Sequence, residues 1–136
     1  MSSGDEQLRR LLKKKYERMV QEMQRKSEHR EMIEVTDASF SDVISAGKPA
    51  LLDFWAAWCA PCRIMHPIFE KLHAKYGDRV IFGRLDVDRN PNTAAQYSVF
   101  SIPTFILFKG GSPVERLVGA VGAGPLESAI RKHTPA

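Results

Sequence analysis

The sequence predicts an α/β protein: a central mixed sheet of about five strands flanked by helices, preceded by a separate amphipathic helix. Three observations predict it. Ala50 to Ala56 is an almost continuous apolar run, the mark of a strand buried on both faces of an open sheet. Strand-like runs alternate with helix-like ones along the chain, which argues for helices on both faces of the sheet. Towards the C-terminus, Lys109-Gly110-Gly111-Ser112-Pro113 joins two apolar segments as a tight connection suited to a hairpin, so part of the sheet is antiparallel.

The first element is a helix over residues 5 to 27. Leu8, Leu11, Leu12, Tyr16, Met19, Val20 and Met23 recur at helical spacing, with Arg9, Arg10, Lys13, Lys14 and Arg18 around the rest of the cylinder. Lys15 interrupts the stripe, although its aliphatic stem can lie along it. This helix is expected to pack on its own domain or to stand solvated. Self-association through the stripe is the next reading, and contact with an anionic membrane surface a third, weakened because no Phe or Trp is available for burial. Nucleic-acid binding has no second sign, since no aromatics are interleaved with the basic residues.

Met32 to Val35 is expected to form a short edge strand, and Asp37 or Ser39 to cap a helix running to Ser45. Gly47-Lys48-Pro49 ends that helix and the strand Ala50 to Ala56 follows. A helix from Pro61 to Tyr76 contains Pro67, which lacks a backbone donor and should bend it. Gly77-Asp78 turns the chain into a strand from Val80 to Val87. Asn90-Pro91-Asn92 opens a short helix to Tyr97, Thr104 to Phe108 is the next strand, and Val114 to Val121 pairs back on it. Gly124-Pro125 starts a last helix that buries Leu126, Ala129 and Ile130 on one face.

The chain of 136 residues suffices for one core-forming domain. Residues 1 to 30 hold nine Lys or Arg against five Asp or Glu, whereas the remainder holds eleven of each, so the whole formal charge of +4 lies in the N-terminal segment. No apolar run approaches the ~20 residues that span a bilayer. The N-terminus lacks the apolar segment and cleavage site of a secretory signal, so the protein is expected in the cytoplasm. A lone cysteine pair there is catalytic or metal-binding more often than structural.

That pair is Cys59 and Cys62, in Trp58-Cys59-Ala60-Pro61-Cys62, where the buried strand ends and a helix begins. The free amides of a first helical turn and the positive end of its dipole favour an anion, here the Cys59 thiolate that attacks disulfides. Cys62, one turn in, is the resolving thiol. A zinc site needs four ligands, and His29, His66, His73 and His133 show no partner spacing with the pair, so no metal is expected. Asp53, inside the apolar strand, is costly to ionise, and its pKa should be raised. Pointed at Cys62 it can take and return that thiol's proton; pointed elsewhere it makes a structural hydrogen bond in a polar pocket.

Asp53-Phe54-Trp55, Trp58 to Cys62, Pro67, Ile102-Pro103-Thr104 and Val118-Gly119-Ala120, in this order and spacing over residues 31 to 136, closely resemble the thioredoxin family. The resemblance implies the thioredoxin fold for residues 31–136, with residues 1–30 as a basic helical extension that it does not cover. It implies a protein-disulfide reductase: Cys59 attacks a target disulfide, Cys62 displaces the reduced target, and a thioredoxin reductase recharges the pair. It also implies that no cofactor is bound beyond the reversible disulfide, that Asp53 is the general acid-base, and that Pro103 is cis and faces the cysteines, leaving Ile102 free to pair with an extended substrate. Trp58, Ala60, Pro61, Ile102, Gly119 and Ala120 would then line an apolar patch around Cys59, with Trp55 packed beneath.

Four residues depart from the family pattern. Ala60 stands where glycine is usual and adds a methyl that a partner must accommodate. Arg84 stands where a lysine is usual near the buried aspartate; it stays charged, and an ion pair with Asp53 would depress the acid's pKa. It can equally be a surface residue with its stem along the sheet. Phe100 and Ser101, just before the proline motif, can alter which targets dock. Against the reductase stand two other readings: an oxidant or isomerase, and a binding module using the N-terminal helix as its contact.

Overall fold

The computed structural model describes residues 3–30 and 32–134, with side chains for residues 4–23 and 32–134. In chain order the elements are α1 (Ser3–Arg30), β1 (Ile33–Glu34), α2 (Phe40–Ile44), β2 (Ala50–Trp55), α3 (Ala60–Tyr76), β3 (Ile81–Asp86), α4 (Pro91–Gln96), β4 (Thr104–Lys109), β5 (Ser112–Val118) and α5 (Ala123–His133). The strands form one sheet in the order β1-β3-β2-β4-β5. β1 and β2 run parallel to β3, and β4 runs antiparallel to both β2 and β5.

Alternation along the strands divides the core into two layers. Leu51, Phe82, Phe105 and Leu107 face Met65, Phe69, Leu72 and Tyr76 of α3 and Leu126 and Ile130 of α5. Leu52, Phe54, Leu85, Ile106 and Phe108 face Phe40 and Val43 of α2 and Ala94 of α4. Both sides of β2 are therefore covered, which is why that stretch reads as a continuous apolar run. Each large side chain so buried contributes roughly 1.5–3 kcal/mol relative to exposure.

Gly83 lets β1 approach β3: a Cβ there would lie 2.6 Å from Val35 Cγ2 and 2.8 Å from Leu52 Cδ2. The β4–β5 turn consists of Gly110 and Gly111 alone, at φ +62° and +80°. Both are left-handed, the geometry that suits strand twist in a two-residue hairpin, so β5 starts at Ser112 rather than at the expected Val114. Pro67 lies inside α3, which stays helical on both sides of it.

The expected cap of α2 needs correction. Ser39 is the N-cap residue but makes no side-chain cap bond; its Oγ accepts from Thr36 N–H at 2.9 Å. Asp37 instead caps α4, more than fifty residues on. Its Oδ1 accepts from Thr93 N–H at 2.8 Å and Thr93 Oγ1 at 2.6 Å, and its Oδ2 from Asn92 N–H at 3.2 Å.

α1 extends beyond the expected helix at both ends. Its described side chains are exposed except for half-buried Val20, and Leu8, Leu11, Leu12, Tyr16, Met19 and Met23 keep more than half their surface in water. Of the two leading expectations, packed or solvated, the solvated one describes this helix.

Candidate active site

Cys59 is the N-cap residue of α3, with extended backbone (φ −86°, ψ 109°), and its Sγ accepts from the Cys62 N–H at 3.3 Å. The two Cα atoms are 5.3 Å apart and the sulfurs are within bonding distance as a disulfide. Proline near the start of α3 fits there because the first-turn amides have no helical partner anyway. The free amide of Cys62 is thus aimed at Cys59 Sγ and favours negative charge on it. Cys59 is only 3% exposed and Cys62 is fully buried. With Ala56 the pair forms a small apolar cluster, against which Trp55, Val87 and Ile102 pack.

Asp53 shares the α3 face of β2 with Leu51 and is completely buried. Its cross-strand neighbours are Arg84 on β3 and Phe105 on β4. Arg84 points to it: Nε donates to Asp53 Oδ2 at 3.5 Å, and the guanidinium carbon lies 3.9 Å from the centre of the Trp55 ring. Arg84 is therefore no ordinary surface residue. Burial pushes the Asp53 carboxyl up from its usual 3.8 to about 6, and the charge and hydrogen bond of Arg84 pull against that rise without cancelling it. Asp53 Oδ1 is buried with no hydrogen-bond partner among the described residues.

Around the sulfurs, the Ile102 carbonyl oxygen lies 3.7 Å from Cys59 Sγ, and the Ile102–Pro103 peptide is cis. Pro103 is buried, Ile102 and Gly119 are half-buried, and Ala60, Pro61 and Ala120 are exposed. Gly119 N–H donates to the Pro103 carbonyl at 2.8 Å, which ties the end of β5 to the proline loop. Trp58 is 69% exposed, and its indole Nε1 donates to Asp88 Oδ2 at 2.8 Å. Asp88 was not singled out from the sequence. The only signal was its place, two residues beyond the C-terminal end of β3, where parallel sheets gather their sites.

A family model described as Thioredoxin matches residues 31–132. The chain belongs to the thioredoxin family. It is 50% identical over 101 residues to the Thioredoxin of Mycobacterium bovis, covering 74% of this chain and 87% of that one. It is also 52% identical over 95 residues to the Bifunctional thioredoxin reductase/thioredoxin of Mycobacterium leprae, covering 69% of this chain but only 21% of that longer protein. Among solved structures, an N21Q mutant thioredoxin from Halobacterium salinarum NRC-1 superimposes with a TM-score of 0.73 at 32% identity, covering 79% of this chain and 94% of that one.

The thioredoxin family and the paired sulfurs together identify the chemistry. The protein is a thiol-disulfide oxidoreductase, a protein-disulfide reductase working by dithiol–disulfide exchange through Cys59 and Cys62. The reversible disulfide is itself the redox group, as in other thioredoxins. Among the described residues there is no group of three or more His, Cys, Asp or Glu able to hold a metal ion, and His29 lies outside the described side chains. Nor is any described helix long and apolar enough to cross a membrane. The thioredoxin match begins after the end of α1 and leaves that helix wholly outside it.

Proposed function

We propose that the protein reduces disulfides in target polypeptides that lie along Ile102, with Asp53 as the proton acceptor for Cys62. The observation that carries this reading is the Cys59 sulfur at the head of α3, fed by the Cys62 amide and 3.7 Å from the Ile102 carbonyl. The Cys59 thiolate attacks one target sulfur; a mixed disulfide forms and the other target sulfur leaves as a thiolate. The Cys62 proton passes to Asp53, and the Cys62 thiolate attacks Cys59 Sγ. The Cys59–Cys62 bond forms, the second target sulfur leaves, and two electrons have moved to the target. Oδ2 of Asp53 is held by Arg84, so unpartnered Oδ1 is the atom suited to carry the proton. Trp58, Ala60, Pro61, Gly119 and Ala120 supply the surface around the attacked bond.

Recharging by a thioredoxin reductase is supported by the Mycobacterium leprae relative, whose name joins the two activities. This makes the protein an electron carrier in redox homeostasis. A dithiol that must be returned to the reduced form suits a reducing compartment such as the cytoplasm. Residues 31–136 then act as the catalytic unit and residues 1–30 as an extension to it.

Insulin reduction by dithiothreitol tests the reading. The wild type should accelerate it, Cys59→Ser should not, and Cys62→Ser should accumulate the mixed disulfide. Full acceleration by Cys59→Ser would remove the proposal.

A further inference from the structure

Phe100 is 88% exposed, more than Trp58 at 69% or Ile64 at 64%. The loop that carries it is tied on both sides. Ahead of it, Ser98 takes a left-handed conformation at φ +55°, and Val99 N–H donates to the Ala94 carbonyl at 2.8 Å. Val99 packs inward on the core layer that contains Phe40 and Phe108. The Arg116 guanidinium, reaching over from β5, donates to the Tyr97 and Ser98 carbonyls. Behind it, Thr104 Oγ1 donates to the Ser101 carbonyl. With Val99 anchored inward, the next side chain is turned to solvent. A polar residue would suit that place at no cost in hydration, yet the chain holds a phenyl ring there.

The loop that carries Phe100 leads into the residue whose carbonyl faces Cys59. Phe100 is two residues from Ile102, a span of at most about 7 Å of backbone, and the Ile102 carbonyl is 3.7 Å from Cys59 Sγ. An extended polypeptide advances roughly 3.3 Å per residue. A target whose disulfide is at Cys59 therefore brings the side chain two to four residues from its cysteine over Phe100.

We propose that Phe100 is a specificity-determining contact for the reductase, selecting target polypeptides with an apolar side chain at that distance from the attacked cysteine. The inference rests on the reading that targets lie along Ile102. Its occupant is the target chain itself, because Phe100 stands two residues before Ile102, whose carbonyl faces the sulfur at which the disulfide must dock. An apolar side chain there covers the ring, and a polar one leaves it wet.

The experiment uses the full chain and a series of peptides, each joined by one disulfide to the same small thiol, in which a single Leu or Ser is moved along both sides of the cysteine. For the wild type, kcat/KM should favour Leu over Ser by about fivefold at one position two to four residues away, mainly through KM. Phe100→Ser should erase that preference and Phe100→Leu should keep most of it. All three proteins should reduce hydroxyethyl disulfide, which has no polypeptide to dock, at the same rate. The inference is overturned if Phe100→Ser keeps the preference, if it slows Leu and Ser peptides alike, or if it also slows hydroxyethyl disulfide. Turnover of the peptides by Cys59→Ser would instead defeat the reductase reading, whatever Phe100 does.

Discussion

Arg84 holds Asp53 from the neighbouring strand, Nε to Oδ2 at 3.5 Å, while its guanidinium stacks over the Trp55 ring at 3.9 Å. The register places Asp53 opposite Arg84 and Trp55 opposite Asp86, so one planar cation touches both an acid and an indole from β2. Arginine suits this because its flat, delocalised charge can stack and donate at once. The carboxyl beneath it is nevertheless dry enough for its proton affinity to rise to about 6.

That rise makes Asp53 a cost to the fold at neutral pH. Between the usual 3.8 and about 6 the folded chain holds a proton that the unfolded chain has released, so stability falls as pH increases through that window. Asp53→Asn should therefore stabilise the oxidised protein by about 3 kcal/mol at about pH 8. The gain should vanish below the window. Denaturant unfolding at both ends of the range checks this, and equal stabilisation at both would contradict it. The same variant should slow insulin reduction by at least about tenfold if Asp53 takes the Cys62 proton.

Arg84→Gln removes the cation that opposes burial, so the Asp53 carboxyl should rise further. The pH profile of insulin reduction should move to higher pH. Arg84→Lys keeps the charge but loses the planar stack on Trp55, and it should move the profile less than Gln does. An unchanged profile for Arg84→Gln would separate this residue from the proton transfer.

Gly83→Ala tests the packing that supports β1. The added Cβ would lie 2.6 Å from Val35 Cγ2 and 2.8 Å from Leu52 Cδ2, so side chains or strands must shift. A loss of roughly 1–3 kcal/mol in thermal or denaturant unfolding is expected. The rate of hydroxyethyl disulfide reduction by the folded variant should stay the same.

Deleting residues 1 to 28 tests the independence of α1. Its described side chains are exposed apart from half-buried Val20, so insulin reduction should remain within about twofold and unfolding of the remainder should change by less than ~0.5 kcal/mol. A large loss of activity would make the helix part of the catalytic unit.

The sequence by itself determined the features that depend on near neighbours. The apolar run of β2, the glycine pair of the β4–β5 turn and the cysteines at a strand-to-helix junction are all local, because strand pattern, turn conformation and free first-turn amides are set within a few residues. Even the burial of Asp53 was legible, since both flanks of that residue are apolar. Tertiary structure alone decided what each polar group meets. Asp37 looked like a cap for the helix beside it and instead caps α4 through Asn92 and Thr93. Arg84 read equally well as a surface residue until strand register set it beside Asp53. Cys59 sits at the helix end as expected, yet it is only 3% exposed, in a cluster against which Val87 beyond β3 and Ile102 of the proline loop pack, from chain segments far apart in sequence. Periodicity reports which face of an element is apolar; only the packed sheet determines which groups that face brings together.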